Sequence, residues 1–246
     1  EAFRKDIPRR EPGGDTDEGK YDAAVALGRG HQLRRRVNVA DDMETNKIRH
    51  HAIISGTGRA GTSFLIQLLT HLGRDTGYLP SNVELPPLYR AGLEYDIRSE
   101  NAPYIVKNPW LCDHINEVLN SPSIRIDHAI LPIRDFGAAA DSRAYVQKLS
   151  TGSADGADDV PGGLWHTTKA QEQEQVLRVQ FTKIIEALAR HDIPVTLLWY
   201  PRLVLDGEYL YGKLRFLLGS HTPESFQAVF VRLRRPSLSI SFDHPT

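Results

Sequence analysis

Ser55 to Ser63 reads SGTGRAGTS, and these residue types suit holding an anion. Gly56, Gly58 and Gly61 let the backbone turn tightly and come close to a ligand. Arg59 adds a cation inside the turn, and Thr62 and Ser63 add hydroxyls. Further along, in LPIRDFGAAADSRAY, Arg134 and Ser142 stand eight positions apart. A guanidinium fork and a hydroxyl suit a phosphate monoester. Lys107, in YIVKNP, is a further cation. The side chains able to take a proton from an acceptor include Glu84, set between Pro80 and Pro86, with Glu94, His71 and His114 as rivals.

The elements that must position these groups follow from the hydrophobic pattern. Ala52 to Ile54 is a short apolar run, read as a buried strand. Phe64, Leu65, Leu68, Leu69 and Leu72 then recur at helical spacing. Strand, glycine turn and helix start together make an anion site, because unpaired N–H groups and the positive end of the helix converge there. Downstream, strands are expected at 75–79, 104–107, 126–134 and 193–200, and helices at 110–119, 136–149 and 167–190. Pro132 should lie near the end of its strand, since it has no N–H for a ladder. Asp206 caps a helix reaching Leu218, and Gly219 ends it. The stretch 150–163, rich in Gly, Ser and Asp, reads as a mobile loop, and FQAVFVRLRRP (226–236) as one more short strand. Alternating strands and helices predict an α/β fold: three α/β/α layers around a central parallel sheet.

The turn nearly fits the nucleotide P-loop pattern G-x-x-x-x-G-K-[ST], as Gly56 to Ser63, but Thr62 replaces the lysine and the cation has moved to Arg59. Arg59-Ala60-Gly61-Thr62-Ser63 resembles the 5′-phosphosulfate loop of sulfotransferases. The Arg134 and Ser142 pair resembles the 3′-phosphate motif of that family, and YIVKNP the strand that brings a second catalytic lysine. The segment 200–218 resembles the family's late strand and leucine helix, with Pro201-Arg202 where Glu-Asp is usual. The resemblance covers roughly 50–219. It implies a P-loop NTPase-like fold and sulfuryl transfer from 3′-phosphoadenosine 5′-phosphosulfate (PAPS), without a metal, to a hydroxyl of a small-molecule or sugar acceptor. It further implies that Gly58, Arg59, Ala60, Gly61, Thr62 and Ser63 bind the 5′ side, Arg134 and Ser142 the 3′-phosphate, and that Arg59, Lys107 and the base Glu84 act in catalysis. Two alternatives remain open. One is a P-loop kinase using Asp135 as a Mg²⁺ ligand; the other is a non-catalytic nucleotide-binding module.

Composition fits this setting. The chain has 246 residues, 40% hydrophobic and 25% charged, as in a globular protein. A chain of this size buries roughly 70–75% of its unfolded surface. A net charge of −1 predicts no bulk attraction to nucleic acid or an anionic membrane, so an anion site must be local. Cys112 is the single cysteine, so no intrachain disulfide forms. No apolar run approaches a membrane span, no secretory signal is read, and a cytoplasmic location is expected. Residues 1–47 form a polar arm, expected to be loosely held, ahead of the α/β domain of 48–246. Met43 is the single methionine. It is read either as the true start or as part of an arm that covers an edge of the domain.

Overall fold

The computed structural model describes residues 48–85 and 92–234. The polar arm, Met43 and the short helix expected at 21–27 lie outside the described residues, as do Pro86 and the end of the tail.

Four strands form one parallel sheet: β1 (Arg49–Ile54), β2 (Ile105–Lys107), β3 (Ile124–Ile133) and β4 (Val195–Trp199), in the order β2-β1-β3-β4. Seven α-helices are assigned among the described residues: α1 (Thr62–His71), α2 (Leu111–Leu119), α3 (Phe136–Thr151), α4 (Gln173–Arg190), α5 (Arg202–Leu205), α6 (Gly207–Leu214) and α7 (Pro223–Leu233). The strand segments 52–54 and 129–132 are apolar and buried because both sheet faces are covered there, whereas Val195, Leu197 and Trp199 of the edge strand β4 are exposed. Side chains alternate between the faces. Ala52, Ile54 and Ile130 pack with Leu65, Leu68 and Leu69 of α1, Leu210 and Leu214 of α6, and Phe226 and Phe230 of α7. Ile53, Val106, Ala129 and Leu131 pack with α2 and with Ile184 and Leu188 of α4. Each buried Leu, Ile, Val or Phe among them contributes about 1.5–3 kcal/mol relative to leaving it exposed.

Register decides what the sheet positions. Ile54 pairs with Lys107 on one side and Ile130 on the other. The carboxyl ends of β1 and β2 are therefore level, and the turn after β1 lies beside Lys107. From β1 the chain goes out to β2, then returns across to β3. That reversal makes a crevice at the carboxyl ends of β1 and β3, where ligands of open α/β sheets bind.

Two expected elements are corrected. Residues 75–79 form no strand; Ile105 N–H donates to Asp75 O at 2.8 Å, and Tyr104 N–H to the Asp75 carboxylate at 2.9 Å. The segment joins the sheet edge by single bonds rather than a ladder. The tail segment 226–233 is helix, not strand. Thr222 caps α7 by accepting from Ser225 N–H, Pro223 stands in the first turn, and Phe226 and Phe230 fall on one buried face. The helix expected from Thr167 begins only at Gln173, behind a turn of 3-10 helix at Ala170–Glu172, and the remaining elements stand within a few residues of expectation. Pro132 is the penultimate residue of β3, and Asp206 caps α6 by accepting from Tyr209 N–H at 2.9 Å. No helix among the described residues is long and apolar enough to cross a membrane.

Candidate functional site

The turn from Ser55 to Gly61 lies between β1 and α1, and its shape follows from its residues. Gly61 stands at the N-cap of α1 with φ +84°, in the left-handed region where glycine is unstrained. Gly61 makes no side-chain cap bond among the described residues, so backbone rather than a side chain shapes the helix start. Arg59 also has a positive φ, +54°, which costs a non-glycine residue some strain. Ala60 is fully buried.

Lys107 ends β2 and is 4% exposed. Its Nζ donates to Ser63 Oγ at 2.8 Å, to Gly92 O at 2.5 Å and to Glu94 Oε1 at 2.8 Å. Burial pushes the ammonium below the ordinary lysine value; Glu94 opposes the shift and Arg59 adds to it. Glu94 Oε1 also accepts from Gly92 N–H at 2.9 Å. Tyr95 N–H donates to Lys107 O at 2.9 Å, so backbone pairing delivers the carboxylate to the lysine.

On the other side of the turn, the β3–α3 unit supplies the charge. Arg134, just past β3, is 4% exposed; its Nη1 donates to Arg59 O at 3.3 Å and its guanidinium lies over the Tyr200 ring at 4.9 Å. Ser142 on α3 is buried, and Arg59 Nε donates to its Oγ at 3.2 Å. Arg143, the next residue, is also buried; its Nη2 donates to Thr57 O at 3.1 Å. Two arginines thus hold alternate carbonyls of the turn. Because a trans peptide sets C=O and N–H on opposite sides, the N–H groups of Gly58 and Ala60 turn away from these arginines.

The structure brings Arg59, Ser63, Lys107, Arg134 and Ser142 together, with Gly58, Ala60 and Gly61 in the turn and Thr62 opening α1. It does not bring Glu84. That exposed residue shares a cavity of about 270 Å³ with Gln67, His71, Arg232 and Leu233, beside the later turns of α1 rather than its start. His71 lies there too, with Arg232 Nη2 3.1 Å from its Nδ1. His114 is bonded to Asn108, 3.1 Å from Nε2 to Nδ2, and burial lowers its pKa. Asp135, the Mg²⁺ ligand of the kinase alternative, caps α3 by accepting from Ala138 N–H at 2.8 Å.

The sequence pattern singles out Ser142 but not its neighbour Arg143, and it offers Glu94 only as one of three rivals to Glu84. The stretch read as mobile is held by buried side chains. Gln147 Nε2 donates to Asp158 O at 3.1 Å and Arg143 Nη1 to Gly163 O at 2.8 Å, and just past the stretch Gln147 accepts from Leu164 N–H at 3.1 Å and Gln173 from Trp165 N–H at 2.6 Å. Nothing in the local pattern of Gly, Ser and Asp signals these distant anchors.

No protein-family model matches the chain, and no curated protein matches it.

Proposed function

We propose that this chain is a sulfotransferase with a P-loop NTPase-like fold, moving a sulfuryl group from PAPS to a hydroxyl of a small-molecule or sugar acceptor. One observation carries the reading. Arg59 of the glycine turn meets Ser142 at 3.2 Å although 83 positions separate them, so the segments resembling the 5′ and 3′ motifs of the family adjoin. Lys107, the cation of a third resembling segment, reaches Ser63 across 44 positions.

In this reading the turn N–H groups and the hydroxyls of Thr62 and Ser63 hold the 5′-phosphosulfate. Arg134 and Ser142 take the 3′-phosphate. The acceptor oxygen attacks sulfur while the bond from sulfur to the bridging phosphate oxygen breaks. Adenosine 3′,5′-bisphosphate leaves with the electron pair. Lys107 and Arg59 stabilise the charge growing on that oxygen, as preorganised cations do in phosphoryl transfer. Arginine is a poor proton donor, so Arg59 acts electrostatically. The acceptor proton goes to a carboxylate, and geometry favours Glu94 over Glu84, because Glu94 shares Lys107 and Gly92 with the turn.

The test is transfer of ³⁵S from labelled PAPS to a panel of phenols, alcohols and sugars. Label transfer that persists in EDTA is expected. Phosphoryl transfer from ATP with a strict Mg²⁺ requirement would replace this reading with a kinase.

A further inference from the structure

Arg143 has no assigned role, and its surroundings are unusual for an arginine. It is 7% exposed, and its fork is held by two neutral carbonyls, Thr57 O and Gly163 O. Its guanidinium lies 5.3 Å from the Trp165 ring, and its Nε is buried with no hydrogen-bond partner among the described residues. Burying a charge without a counter-charge is costly, so a chain keeps one only where something compensates it. Burial lowers its pKa to about 10, with the charge of Arg59 adding to the shift; the group remains a cation at neutral pH.

The glycine turn is built around this side chain. A Cβ at Gly58 would stand 2.5 Å from Arg143 Nη2, and Gly58 has φ +66°. A side chain at Gly58 would push this buried, doubly bonded guanidinium aside and would sit at a φ that L residues rarely adopt. The bond to Thr57 O fixes the Thr57–Gly58 peptide, which turns the Gly58 N–H to the opposite side. The second arm of the fork holds Gly163, in the segment pinned by Gln147 and Gln173. The turn and this segment are therefore joined through one guanidinium.

We infer that Arg143 is a positioning residue for the glycine turn: its fork orients the Gly58 N–H, and its buried charge is balanced by the anion that the turn receives. The inference rests on the donor reading for the identity of that anion, the 5′ end of an adenosine 3′,5′-bisphosphate.

The experiment is calorimetry on the full chain with two probes, 3′-phosphoadenosine 5′-phosphate and adenosine 3′-phosphate. Arg143→Gln is expected to weaken the bisphosphate about 10–100-fold, the size of one charge roughly 6–12 Å away at an effective dielectric near ~20. Binding of adenosine 3′-phosphate should fall by a clearly smaller factor, because the Coulomb interaction weakens with distance from the 5′ side. Equal loss for both probes would mean a merely structural role and overturn the inference, as would wild-type affinity for both. If Arg143→Gln does not fold, Arg143→Lys serves. A smaller loss confined to the bisphosphate supports the inference, and unchanged binding overturns it. A wild-type chain that binds ADP with Mg²⁺ but not the bisphosphate would fail the donor reading alone. The pair ADP and adenosine then tests Arg143 in the same way.

Discussion

The two flanks of the glycine turn carry charge differently. On the β2 flank, Lys107 is matched by Glu94 at 2.8 Å, so cation and carboxylate largely cancel. On the β3–α3 flank, the fork of the buried Arg143 is held by two neutral carbonyls, Thr57 O and Gly163 O. Neutral acceptors orient a guanidinium without cancelling it. The first flank suits proton handling and charge shifts during a reaction, the second a standing attraction for an anion. In a chain of net charge −1 this difference is local, set by which residues the crossover from β1 to β3 brings together.

Substitutions that affect one flank sharpen this contrast. Glu94→Gln should have the largest effect, lowering turnover by about 10²–10⁴-fold while leaving donor affinity alone. Turnover and donor binding followed together check it; normal turnover would return the base role to Glu84, whose own Glu84→Gln variant is expected to keep near-wild-type turnover. Lys107→Ala comes next, with turnover down about 10²–10³-fold, the loss of one transition-state cation. A fall in donor affinity as large as the fall in turnover would erase the distinction between the flanks. Arg134→Ala should show the opposite split, costing about 2–4 kcal/mol of affinity for 3′-phosphoadenosine 5′-phosphate. Unchanged affinity by calorimetry would remove Arg134 from the donor site.

The smallest effect concerns pH. Burial lowers the pKa of His51, His114 and His128 from the ordinary 6.5. Below about 6.5 the unfolded chain binds more protons than the folded one, so stability rises with pH through that window and is lost as pH falls. The melting temperature should therefore drop between pH 7 and pH 5.

Much of this was legible in the sequence because it is local. Three glycines between an apolar run and a helical stripe announce the turn, and the register of β1 with β2 then brings Lys107 to it. In the sequence, Pro80 and Pro86 favour Glu84 over Glu94, because they make its loop stiff. What positions Glu94 is the pairing of Tyr95 N–H with Lys107 O, a contact between segments that share no pattern. Arg143 was hidden because an arginine on a helix usually faces solvent. The tail looked like a strand from its Val and Phe content, but the cap at Thr222 and Pro223 and the burial of Phe226 and Phe230 outweighed that propensity. Those signs were present in the sequence, and β-propensity obscured them.

The most direct measurement is calorimetry of the full chain with 3′-phosphoadenosine 5′-phosphate, in EDTA, against ATP with Mg²⁺. The account predicts that the bisphosphate binds at least about tenfold tighter, since a flank with standing positive charge receives the second phosphate without a metal. Tighter binding of ATP with Mg²⁺, or no binding of the bisphosphate, would contradict it.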